Sequence, residues 1–163
     1  MPDLHLETII KAPLEIVFDL SRSIDLHILS LEHTRERAVA GRLTGLVEKG
    51  ETVTWSAKHL GVTQKLTSLI TDVEPYHFFA DVMVSGAFKE FRHEHHFEKL
   101  ENGDTFMKDL FSYTSPLGFL GIIADKLFLE NYMTKLLEQR NLTLKQVAEN
   151  GQWKELPGME SHL

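Results

Sequence analysis

The chain is 163 residues long, 42% hydrophobic and 25% charged, with a formal net charge of −7 and no cysteine. That length suits one domain with its own core, and the composition argues against wholesale disorder. The negative charge speaks against nucleic acid or an anionic membrane as partner, and the missing thiols remove cysteine catalysis, disulfides and cysteine-bearing zinc motifs.

In chain order, Met1 to His5 has neither a basic nor an apolar signal-like region. Leu4 to Ile10 reads as a first strand that Ala12-Pro13 ends. Ile16, Val17, Leu20 and Ile24 then recur at helical spacing, giving a short helix, a break near Ser21-Arg22-Ser23 and a second short helix through Leu29. From His33 to Ser115 the period changes to two. The predicted strands are Thr34–Val39, Thr52–His59, Val62–Val73, Phe78–Ser85, Phe88–Lys99 and Thr105–Thr114. Turn-like residues join them, among them Leu60-Gly61 and Asn102-Gly103, the latter expected to form a tight primed turn. Successive hairpins make an antiparallel meander.

Ser115-Pro116 is expected to open a long helix from Leu117 to Glu149-Asn150, closed by Gly151. Its buried stripe is read as Leu120, Ile123, Ala124, Leu127, Phe128, Asn131, Leu137 and Leu144. Gly118, Gly121, Asp125 and Lys126 interrupt the most apolar stretch, so no membrane insertion is expected and a cytoplasmic location is. Residues 1–150 are read as a single domain and 151–163 as a flexible tail. The order of elements gives an α+β class: a curved antiparallel sheet that must be covered by the terminal helix, with a pocket between them.

Strand parity names the lining of that pocket. On Thr52–His59 the apolar side carries Val53, Trp55, Ala57 and His59; on Phe88–Lys99 it carries Phe91, His93, His95 and Phe97. On Thr105–Thr114 the set Met107, Asp109, Phe111 and Tyr113 competes with Phe106, Leu110 and Ser112. Taking the first set, and adding Leu120 and Ala124 from the helix, places His59, His93, His95, Asp109 and Tyr113 as a polar group inside apolar surroundings. Such groups must contact each other, a ligand or water. They form a self-satisfied network, or they orient a ligand, or they hold a metal or do acid–base chemistry. For catalysis the candidates are His93 or His95 as base, with Asp109 orienting it. For a metal, His93 and His95 form a chelating pair that His59 or Asp109 would complete. The run His93-Glu94-His95-His96-Phe97, however, is not the helical zinc signature, and neither metal nor cofactor is assigned.

The chain resembles the START-like, SRPBCC superfamily of helix-grip proteins, and within it the bacterial group of ligand-binding, polyketide cyclase/dehydrase-like SRPBCC domain proteins. The resemblance spans roughly residues 3 to 149 and rests on Lys11-Ala12-Pro13, Thr54-Trp55-Ser56-Ala57-Lys58-His59, Phe91-Arg92-His93-Glu94-His95-His96-Phe97 and Tyr113-Thr114-Ser115-Pro116-Leu117-Gly118. It implies a β-α-α-β6-α fold whose pocket binds a small hydrophobic molecule such as a lipid or polyketide. The alternative it leaves open is a cyclase-, dehydrase- or hydrolase-like enzyme. A homodimer through an exposed strand edge is a third reading.

Overall fold

The computed structural model describes residues 3–115 and 128–163. Strand β1 (Asp3–Ile10) leads into helix α1 (Leu14–Ser21) and helix α2 (Ile24–Ser30). Six strands follow: β2 (Arg37–Gly41), β3 (Thr52–His59), β4 (Val62–Glu74), β5 (Phe78–Ser85), β6 (Glu90–Lys99) and β7 (Thr105–Thr114). Helix α3 (Glu130–Asn150) covers the sheet. The expected start of the long helix from Leu117, with Leu120 and Ala124, falls outside the described residues.

All seven strands form one antiparallel sheet in the order β1-β7-β6-β5-β4-β3-β2. The six later strands are a meander, as their turn residues predict, and β1 joins it at the far edge beside β7. Helices α1 and α2 carry the chain from that edge to the opposite one. Register breaks at Ala38/Ala40 on β2, and at Thr67/Ser68 and Ile70/Asp72 on β4, add twist and let the sheet curl.

Local chemistry explains the boundaries. Ser23 caps α2 by accepting the Leu26 N–H at 3.1 Å, and Gly151 ends α3 in the left-handed conformation at φ +80°. The β3–β4 hairpin turns on Leu60 and Gly61, with φ of +52° and +81°. These are the two positive angles of a primed two-residue turn. The β6–β7 connection is different from the expected one. Only Gly103 has positive φ there, and Asn102 uses its side-chain carbonyl to accept the Asp104 N–H at 3.1 Å. That Asx-type bond gives a five-residue loop instead of a tight primed turn. The predicted strand Thr34–Val39 begins later, because Glu32–Thr34 forms a single 3-10 turn.

Among the described residues, three apolar clusters stabilise the fold. The main one joins Ile10, Val17, Phe18, Leu20, Phe79, Phe97, Met107 and Leu144. A second gathers Leu4, Phe91, Phe111, Tyr113 and Leu137, and a third Ile24, Val47, Val53 and Ile70. Burial resolves the competing parities of β7: Thr105, Met107, Asp109, Phe111 and Tyr113 face inward. On α3, Asn131 is exposed, and the buried face holds Arg140 and Asn141 beside Leu136, Leu137, Leu144, Val147 and Ala148.

The segment expected to be a flexible tail is docked. Trp153 and Met159 are buried in the main core, Leu156 packs against it, and His162 lies 2.7 Å from Asp19. Trp153, Leu156 and Met159 recur every third position, on and between two one-turn 3-10 helices, a run too short to register as an amphipathic pattern.

Candidate ligand-binding site

A cavity of about 440 Å³ opens between the inner face of the sheet and the helices. Strand alternation accounts for its walls. Val53, Trp55, Ala57 and His59 come from β3, and Leu66, Ser68 and Ile70 from β4. Phe79 and Asp81 on β5, Phe91, His93 and His95 on β6, and Phe111 on β7 continue the same face. Ile24 and His27 of α2, with Tyr132, Met133, Leu136, Leu137 and Arg140 of α3, close the other side. The surface is mainly apolar, and its polar side chains include two distinct groups.

The first polar group is set by strand register. Across β5, β6 and β7 the aligned residues are Phe79, His95 and Asp109 in one row and Asp81, His93 and Phe111 in the next. His95 stacks on Phe79 with centroids 4.1 Å apart, and His93 meets Phe111 edge-on at 5.2 Å. Asp109 sits behind both imidazoles, 1% exposed, with Oδ1 at 2.6 Å from Nδ1 of His95 and 3.3 Å from Nε2 of His93. Both approaches are close but off the axis of an ideal hydrogen bond. Asn141 donates to Asp109 Oδ2 at 2.6 Å, and Arg140 Nη1 lies 3.7 Å from Oδ1 while its Nη2 donates to the Ser21 carbonyl at 3.0 Å.

These contacts set the protonation states. Burial and the neighbouring His93 hold His95 well below the usual histidine range, against the pull of Asp109. Burial pushes the Asp109 carboxyl up, but hydrogen bonding from His93 and His95 outweighs it and keeps the carboxyl well below the ordinary aspartate range. The pair is therefore a neutral imidazole beside a buried carboxylate. Asp81, across the row, is pushed up by burial.

The second polar group lies on the α2–β3 side. His27 Nε2 is 3.1 Å from Glu36 Oε1, and the His27 ring lies over Trp55 at 4.2 Å. His59 Nδ1 and the Tyr132 hydroxyl are 2.9 Å apart. Burial raises the Glu36 carboxyl, and the charge and hydrogen bond of His27 more than offset this, leaving it below the ordinary range. Burial lowers His59, opposed by Glu36.

Of the residues singled out from sequence, Trp55, His59, Phe91, His93, His95 and Phe111 lie along the cavity. Asp109 is one layer behind it. Phe97 and Met107 pack in the main core, and Tyr113 is fully buried in the second cluster, because β6 and β7 run past the end of the cavity into apolar contacts with the helices. The sequence pattern does not single out His27, Glu36, Asp81, Tyr132 or Arg140. Asp81 carried a signal: it shares the parity of Phe79 on an otherwise apolar strand. Arg140 and Asn141 stand where a helical stripe projected back from Leu144 and Leu137 would place them.

No protein-family model and no curated protein matches the sequence. Solved structures do match. TTHA0849 from Thermus thermophilus superposes with a TM-score of 0.72 at 18% identity, over 89% of this chain and 95% of that one. A START superfamily protein from Mycobacterium smegmatis gives 0.69 at 11% identity, over 91% and 97%. Ginseng major latex-like protein 151 from Panax ginseng gives 0.67 at 12%, over 90% and 97%. At these identities the likeness is one of architecture: the chain has the helix-grip α+β fold, a curved antiparallel sheet closed by its C-terminal helix, that it shares with the START superfamily protein.

Proposed function

We propose that this protein binds a small, largely apolar molecule in the cavity between the sheet and α3. The observation that carries the reading is the cavity itself. Its volume of about 440 Å³ falls in the range of small-molecule sites, about 300–1,000 Å³. Its walls place Trp55, Leu66, Phe91, Phe111 and Leu137 around a few inward polar groups, the division of labour expected of a site that binds by apolar burial and orients by hydrogen bonds. A molecule with an apolar body and one or two oxygen functions matches both polar groups. Native mass spectrometry of the protein purified from its own cells, with thermal shifts against a lipid and polyketide panel, tests this. A stoichiometric apolar adduct or a saturable shift is the expected result. No adduct and no shift across the panel would overturn it.

Acid–base chemistry on the bound molecule is the second reading, and the close His95–Asp109 contact at the cavity wall favours it. His95 would take a proton, with Asp109 stabilising the imidazolium that results. If His95→Ala left turnover of every accepted substrate intact, this reading would fall.

A further inference from the structure

We propose that Asp81, His93 and His95 form a binding site for a divalent transition-metal cation of the zinc or cobalt class, opening on the cavity. Each of the three offers a ligand atom, and the three atoms lie within 4.8 Å of one another. Register brings them together: Asp81 is paired directly with His93, and His95 is on the same face of the same strand. His95 Nε2 is 3.9 Å from Asp81 Oδ1. Around a shared ion such donors stand about 3–3.5 Å apart, so from a separation of at most 4.8 Å the donor atoms must draw together by no more than about 1.3–1.8 Å.

The surroundings are those of a prepared site. Phe79 and Phe111 hold the two rings in place by stacking and edge contact. Asp109 faces Nδ1 of His95, so a proton on that nitrogen leaves Nε2 with its lone pair toward Asp81. A carboxylate behind a ligating histidine commonly fixes tautomer and orientation in this way. His93 Nε2 is buried 3.3 Å from Asp109 Oδ1, off the axis of a hydrogen bond, so the same carboxylate stands beside both imidazoles. The charges also favour a cation, with Asp81 and Asp109 set against the guanidinium of Arg140. Two imidazoles and one carboxylate are borderline ligands suited to zinc, cobalt or iron(II). All three line the cavity, which leaves room for further donors from water or from a bound molecule.

This inference does not rest on the apolar-ligand reading, and the two fail separately. Isothermal titration of the whole chain with zinc chloride, and with cobalt chloride followed by visible absorption, tests it. One equivalent should bind, with cobalt d–d bands of mixed nitrogen and oxygen ligation. Asp81→Asn and His93→Gln should each weaken binding at least tenfold while the fold, read by circular dichroism, is kept. Asp109→Asn should weaken it by about tenfold through loss of orientation. His77→Ala, at an exposed histidine among the nine in the chain, should bind like the parent. Should His93→Gln fail to fold, Asp81→Asn decides alone, since that side chain is partly exposed. Absence of stoichiometric binding, or binding unchanged in Asp81→Asn, would overturn the proposal.

Discussion

Asn141 donates to Asp109 across 2.6 Å, so that α3 and β7 meet through a buried carboxylate as well as through apolar side chains. Removing the carboxylate takes from Asn141 its shortest acceptor and from Arg140 and two imidazoles their buried counter-charge, while removing Asn141 leaves a buried charge short of one donor. Asp109→Ala is expected to cost about 3–5 kcal/mol and Asn141→Ala about 1–3 kcal/mol. The double variant should depart from additivity by more than about 0.5 kcal/mol. Urea denaturation of the four proteins measures the cycle, and strict additivity would show that the two side chains act independently.

The Glu36–His27 contact makes stability depend on acid. The folded carboxyl titrates below its unfolded counterpart, whose value is about 4.3. Its contribution is complete above the unfolded value and disappears as pH falls through the folded one, where both states bind the proton. Urea midpoints should therefore decline through that acid interval, and Glu36→Gln should flatten that part of the profile. An unchanged slope in Glu36→Gln would remove Glu36 as its source.

Ala57 lines the cavity and is nearly inaccessible from outside. Ala57→Phe would occupy space that a ligand needs. Binding of an apolar fluorescent probe is expected to drop at least tenfold, with the thermal midpoint lowered only modestly because the added ring enters a void and not close-packed core. Undiminished probe binding would place the probe elsewhere.

Leu60 occupies a left-handed conformation at φ +52° while 59% exposed. The residue type works against the turn, since a β-carbon in this region costs about 1–2 kcal/mol. Leu60→Asn should raise the unfolding free energy by about 0.5–1 kcal/mol, read from chemical denaturation. A loss of stability would mean that the exposed leucine makes contacts outweighing the strain.

Met159 is 0% exposed, and with Trp153 it closes the main core from the C-terminal side. Met159→Ala is expected to cost about 2–5 kcal/mol. Deleting residues 152–163 should lower the thermal midpoint further. A truncated chain as stable as the whole would restore the view of this segment as a loose tail.

The legibility of these features from sequence followed the length and purity of the patterns. β6 alternates strictly between Phe91, His93, His95 and Phe97 on one side and charged residues on the other, so its inner face could be read directly. β7 has apolar residues on both sides, and only packing chooses between them. The meander was readable because glycine, proline or asparagine marks its turns, yet the tight primed turn formed at Leu60-Gly61, where leucine is ill suited, and not at Asn102-Gly103. Two-residue loops depend on how many residues the strands leave unpaired, which no dipeptide encodes. Asp81, Arg140 and Asn141 escaped because a polar residue on a buried face looks like an interruption until its partners are known. Those partners come from distant segments of the chain.

The pairing of β1 with β7 also sets the order in which the molecule can be built. Leu4 lies opposite Phe111, so β1 must wait for β7 before it gains a neighbour in the sheet. The main core likewise joins Ile10 to Met159. During synthesis the middle hairpins can form as they emerge, while the β7 edge, β1 and the apolar face of α1 stay uncovered until they meet. Such long-range closure is entropically demanding and slows folding relative to helical proteins of similar size. The growing chain thus carries β1 without its strand partner until residues 105–114 have been made.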